Sequence, residues 1–510
     1  MKSIWILSVA TVLALNLQLR AADDIPARPE KLAFPPLKYE APVPATFRVP
    51  LKAGPIAYVV PDRERPLVNI TLYVRTGTYL EPVGKEGLAE LTGWMMAHGG
   101  AGTNSASQLD ERLAFLAANL SVDIGDTEGT VGLNLLSKDL DEGFALLRDV
   151  LYAPRFDADR LTLRQSQLLQ EMKQRNDESA DIEGREASYL ARSESFFENH
   201  LATSNSITAI TAHDLAAFHQ QWFRPGNFVV GVSGDFDRDE MIARLEKLFA
   251  GGPTGSEATP PAVVPAIPTN FTFAASGVYI VNKPEVDQGR VTMMLPGIQR
   301  DNPDYYACLL LNHVLGGGGF SSRLMGRVRS DEGLAYDVHS RIPGGVYYPG
   351  IISIGFQSKS RTVAYAAALC VEELKKIAAA PVTDAELNLA KRAYIETFPR
   401  TFASKTAVSD AFARDEFTGR YASDPEFWKN FRAKVKAVTK EDVQRVAQKY
   451  LHPDQLVVLI VGNKDEIVLG HPNHPAKLAD LTSGKVTDLP LRDPYTLQPL
   501  PTAPAAAPTK

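Results

Sequence analysis

The chain has 510 residues, more than one hydrophobic core usually serves, so at least two domains are expected. Its apolar and charged fractions, 45% and 22%, are those of a globular protein. With 54 basic against 60 acidic side chains the formal net charge is −6, which excludes the strong basic excess of a nucleic-acid binder.

The first 22 residues read as a signal peptide. Lys2 opens it, residues 4–19 are mostly apolar, and Ala21 and Ala22 offer a small-residue cleavage site. The apolar run is short and interrupted by Asn16 and Gln18, so cleavage is favoured over a retained anchor. No later stretch is long enough to span a bilayer. The mature chain is therefore expected to be exported, to the periplasm if the source is Gram-negative, with no transmembrane span.

Residues 23–50 are Pro-rich and read as extended. Residues 67–74 (LVNITLYV) and 290–295 alternate as strands do. Residues 157–176 and 383–397 have helical spacing, the second opened by Thr383 and Glu386 as a capping box. Residues 251–270 are rich in Pro and small residues and read as a linker. Residues 496–510 read as a disordered tail. Cys308 and Cys370 lie in apolar helical stretches and read as small buried hydrophobes; two cysteines make no metal motif.

The linker separates two similar halves, residues 51–250 and 271–495. Ile210 and Val438 open matching helix starts (ITAHDL, VTKEDV). Trp222 and Tyr450 open matching turns (WFRP, YLHP), and Phe228 and Leu456 open matching strands; each pair is 228 residues apart. One offset across a helix, a turn and a strand indicates an internal duplication of an α+β unit.

A duplicated unit with these turns resembles the pitrilysin/insulinase (M16) peptidases. The stretches that carry the resemblance are RTGTYLEP from Arg75 followed by GLA from Gly87, WFRPGN from Trp222, LGGGGFSSRL from Leu315 running into RSDEGLAY from Arg329, and LRDP from Leu491. The resemblance implies two tandem lobes of the kind found in LuxS and the mitochondrial processing peptidase. Each would be a mainly antiparallel sheet with helices packed on one face, and a peptide would be held between the lobes.

Active members carry H-x-x-E-H on a helix after the Gly-Leu-Ala element. Two histidines four residues apart share a helix face and bind zinc, and the glutamate works on the metal-bound water. Here the histidine positions hold Glu90 and Trp94, and the general-base position holds Gly93. Glu171 falls near the family's distal glutamate ligand. Two carboxylates without an imidazole fall short of the roughly three ligands of a catalytic zinc, so no metal is expected. His98 lies about 12 Å along the helix from Glu90, too far to help. His313 and His339 belong to the other half, and His471 with His474 reads as a solvated loop.

The second half keeps more of the family pattern. Gly316, Gly317, Gly318 and Gly319, followed by Phe320, match a glycine-rich loop tied to substrate binding in the processing peptidase's regulatory subunit. Arg329 and Tyr336 match the R-x6-Y pair that the zinc-free subunit of two-chain members lends to its partner's active site. Arg323 and Arg327 are near enough to compete for that assignment. The resemblance therefore implies a non-catalytic subunit. It would bring Arg329, Tyr336 and the loop to a partner carrying H-x-x-E-H and zinc, with unstructured peptides as substrates. Three other readings are open: a structural protein like the core subunits of the respiratory cytochrome complex, a peptide-binding pseudoenzyme acting alone or as a homodimer, and a peptidase with a rebuilt metal site.

Overall fold

Strand β3 explains the first sheet. In the computed structural model, which describes residue 28 and residues 38–250 and 263–501, Val68, Ile70, Leu72 and Val74 of Leu67–Val74 enter one core, while Asn69, Thr71 and Tyr73 alternate to the opposite side. With β1 (Arg48–Pro50), β2 (Ile56–Pro61), β4 (Asn119–Ile124), β5 (Gly129–Leu136) and β6 (Phe228–Gly234), β3 forms a sheet in the order β1-β2-β6-β3-β5-β4. β2 and β6 run parallel, and the other neighbouring pairs antiparallel.

The second half repeats the plan. β7 (Gly277–Asn282) and β8 (Gln288–Pro296) are followed by β9 (Ile298–Gln299), β10 (Ala335–Arg341) and β11 (Gly344–Gly345). Then come β12 (Ile351–Lys359), β13 (Val457–Gly462) and β14 (Lys485–Leu489). The sheet order is β10-β12-β8-β13-β7-β14, and β9 pairs only with β11. Strand for strand, β10 occupies the place of β4, and each is the free edge of its sheet.

Helices α1 (Leu88–His98), α2 (Leu140–Tyr152), α3 (Ala158–Lys173), α4 (Ser179–Arg192), α5 (Ala212–Trp222) and α6 (Arg238–Ala250) belong to the first half. All but α4 lay apolar side chains, among them Leu91, Leu147, Leu168, Leu215 and Leu245, on one face of the first sheet. In the second half, α7 (Tyr305–Asn312), α8 (Val363–Ala379), α9 (Asp384–Thr397), α10 (Lys405–Phe417) and α11 (Lys440–Tyr450) follow. The duplicated helix starts are capping boxes, Thr211 with Asp214 and Thr439 with Asp442, and so is Thr383 with Glu386.

The remaining sheet faces are covered by exchange. Helix α10, from the second half, packs on β2, β3 and β6 of the first sheet; α4, from the first half, packs on β8 and β13 of the second. Ile182, Leu190 and Ala191 of α4 meet Val457, Leu459 and Val461. The α10 contact is mixed: Phe412 and Phe417 pack on the Tyr58 and Tyr73 rings, Asn69 Nδ2 and Ser233 Oγ both meet Thr406 Oγ1, and Tyr58 Oη donates to Glu416 at 2.8 Å. The described residues from 41 onward form one compact unit.

Three boundaries differ from the sequence reading. The segment expected to stay extended through residue 50 makes a helical turn at Pro44–Phe47, with Pro at its start, and then β1. Arg48 there forks onto Glu416 at 2.9 and 3.0 Å, so the folded body begins before residue 51. The described end of the linker packs: Val264 lies against the first core and Ile267 against Phe196, Phe197 and Tyr348. The expected tail is ordered through residue 501, because Leu497 is buried and Arg492 bridges to Pro499. The signal peptide, residues 251–262 of the linker and residues 502–510 lie outside the described residues.

Candidate functional site

The stripe that would hold zinc sits on α1, against the free edge β4. Glu81 of the RTGTYLEP stretch explains why that stretch and Gly-Leu-Ala occur together. Its carboxylate accepts the N–H groups of Gly87 and Ala89, capping α1. Burial pushes that carboxyl up to about 7. Gly87 has φ +96°, and a Cβ there would lie 2.7 Å from Ile207 Cδ1.

Along the stripe, Gly93 lies directly on β4: a Cβ would sit 3.0 Å from the Val122 carbonyl oxygen and 3.3 Å from Ile124 Cγ1. A longer side chain would require the helix or the strand to move. Glu90 and Glu171 do converge, but on a residue the sequence reading missed. Arg164 of α3 donates from Nη1 to Glu171 at 2.8 Å and from Nη2 to Glu90 at 3.3 Å. Its guanidinium lies 5.6 Å over the Trp94 ring, and Trp94 packs on His98 at 4.8 Å. Both carboxylates are more than half exposed, whereas the Arg164 side chain is 16% exposed. A guanidinium stands between the only two remaining donors, and no cluster of three or more His, Cys, Asp or Glu side chains forms a metal site among the described residues. The residues present do not fit zinc. Arg164 was legible in principle, since it lies seven residues before Glu171, on the same helical face.

In the second half the matching place beside β10 is built differently. The chain widens into π-helical turns at His313–Gly317 and Met325–Asp331. The glycines are packed rather than slack. A Cβ on Gly316 would lie 2.4 Å from the Ser340 nitrogen, one on Gly317 2.4 Å from Asn312 Nδ2, and one on Gly318 2.6 Å from the His313 oxygen. Gly319 has φ +59°. The loop presents Phe320, 73% exposed.

The three arginines separate by partner. Arg323 forks onto Glu386 at 2.7 and 2.9 Å, holding that carboxyl down at about 2. Arg327 pairs with Glu332 at 2.6 Å. Arg329 has no carboxylate partner among the described residues; its guanidinium lies 4.6 Å from both the Phe320 and Tyr336 rings. Tyr336, on β10, is 84% exposed. The sandwich stands at the rim of a cleft of about 730 Å³ whose floor is the part of the second sheet that α4 leaves open. His339 turns toward this floor over Gly355, and His474 stacks on Tyr365 with His471 tilted against it, elsewhere in this half. Cys308 and Cys370 are buried and free.

A family model described as "Insulinase (Peptidase family M16)" matches residues 58–203, and one described as "Peptidase M16 inactive domain" matches residues 209–394. Among curated proteins, an uncharacterized zinc protease of Streptomyces coelicolor is 25% identical over 252 residues, 49% of this chain and 53% of that one. Another, of Mycobacterium leprae, is 27% identical over 267 residues, 51% and 57%. The match thus spans little more than half the length of these relatives. Among solved structures, a peptidase M16 inactive domain from Pseudomonas fluorescens superposes with TM-score 0.71 at 23% identity, covering 81% of this chain and 97% of that one. The periplasmic protease PqqL from Escherichia coli superposes with TM-score 0.67 at 18% identity, covering 89% and 50%. These structures share the tandem fold.

Proposed function

The chain belongs to the M16 peptidase family, and from that premise we propose that it is the non-catalytic, peptide-holding subunit of a two-chain zinc peptidase. A separate M16 chain with H-x-x-E-H would bring the metal, and this chain has none of its own. The observation that carries the reading is the contrast between the two equivalent places. Beside β4, Arg164 fills the metal stripe. Beside β10, Arg329 is left without a carboxylate and is held between two exposed rings.

In this reading Arg329 offers forked donors to a peptide carbonyl, and the Tyr336 hydroxyl donates to the oxyanion that forms at the partner's metal. Gly316 to Gly319 shape the loop so that Phe320 reaches the peptide. Substrates are unstructured peptides, bound in part by strand addition. The signal-peptide composition of residues 1–22 supports export, and a periplasmic structural neighbour is consistent with a periplasmic site of action.

Cleavage of a quenched fluorescent peptide tests this. The chain, a zinc-bearing M16 protein from the same source and their mixture are compared. Cleavage is expected to need the mixture, and Arg329→Ala or Tyr336→Phe should lower its rate by about 10²-fold, the scale of a lost oxyanion donor. Equal rates with and without this chain would leave it as a peptide-binding or structural protein.

A further inference from the structure

Charge is unevenly spent in the cleft beside β10. Its two carboxylates are already engaged: Glu183 of α4 is bound by Arg290 and accepts from Thr292 Oγ1 at 2.6 Å, and Asp337 is hydrogen-bonded to His339 Nδ1 at 2.8 Å. Two cations on the same walls, Arg329 and Lys359, have no carboxylate partner among the described residues. An empty positive wall is unfavourable for a basic ligand and favourable for an acidic one.

Shape narrows the ligand further. β10 ends its sheet, so one row of its backbone N–H and C=O groups faces away from any strand partner. The register of β10 against β12 shifts between Ala335 and Val338, at the rim where Tyr336 stands. The cleft, at about 730 Å³, is in the range that accepts a few side chains. Gly355 keeps its floor low: a Cβ there would press on the His339 ring at 3.2 Å. An edge strand next to a shallow groove suits an extended backbone, with alternate side chains falling into the groove.

We propose that this cleft selects acidic peptides: an extended segment adds to the free edge of β10, and its Glu or Asp side chain lies between Arg329 and Lys359. The proposal rests on the preceding reading only in taking the ligand to be a peptide, and it needs no partner chain to be tested.

Fluorescence anisotropy on the full chain alone would compare three labelled peptides differing only in paired Glu, Gln or Lys residues. The Glu peptide is expected to bind about fivefold or more tighter than the Gln peptide, the Lys peptide weakest, with the preference shrinking as salt is added. Lys359→Gln should reduce the Glu-over-Gln preference about threefold and leave the melting temperature in place. Equal affinity for all three peptides, or no binding of any of them, overturns the proposal. The mixing assay reads the partner independently: selective binding without stimulated cleavage would keep this inference and sink the subunit reading.

Discussion

Arg164 shows how a lost metal site can be closed by a residue that no metal search would count. A zinc ion would join ligands from two helices; here one guanidinium joins two carboxylates, and the sequence signal for it is helical spacing to Glu171 rather than a ligand motif. Restoring ligands alone is therefore insufficient. Glu90→His with Trp94→His is expected to give no stoichiometric zinc in the purified protein while Arg164 remains, and adding Arg164→Ala should let zinc bind; metal analysis of the two variants reads the difference. At the other pole, Glu386 carries a pH dependence. Arg323 holds its carboxyl at about 2, below the ordinary 4.5, so this stabilisation is complete above 4.5 and is lost as pH falls from 4.5 toward 2. Screened by solvent at this partly exposed pair, it is worth about 1 kcal/mol. The stability gap between the parent and Glu386→Gln, measured by denaturant titration, should be full at neutral pH and close toward the acid end.

At the scale of elements, much was readable. A capping box announced α9, matching helix starts announced α5 and α11, and alternation announced β3. The constant offset announced the duplication. The glycine run was readable as a loop but not as a packed one, because glycine marks permission for close approach and not the atom approached. Gly316→Ala is expected to cost about 2–3 kcal/mol, since its Cβ would press on the Ser340 backbone, whereas Gly319→Asn should be tolerated where φ is positive and space is open. Thermal melts of the two variants check the contrast. The destination of α10 was hidden for a physical reason. It lies on a sheet face of mixed character, where Phe412 and Phe417 meet Tyr58 and Tyr73 beside the hydrogen bonds of Asn69 and Ser233 to Thr406, so its buried side does not announce which sheet it covers. The ordered stretch at residues 496–501 was hidden likewise, because Leu497 is a single buried residue in a run of Pro and Thr.

At the scale of the molecule, the exchange of α4 and α10 makes the two halves depend on one another. Neither sheet keeps both faces covered if the other half is removed, and Arg492, near the chain's end, reaches back to Glu186 and Glu194 around α4. Residues 41–250 and residues 263–501 produced separately are expected to be insoluble or molten. Co-expressed from two genes, they should co-purify as one folded complex with a single cooperative melt. Two independently folded halves would contradict this.

The reciprocal helices carry a consequence for how such a protein can change. Because each half is secured by a piece of the other, the covalent join between them bears little of the load. A protease nick there would leave a molecule that still migrates whole, and a gene broken at that point could yield two interlocked products rather than two fragments.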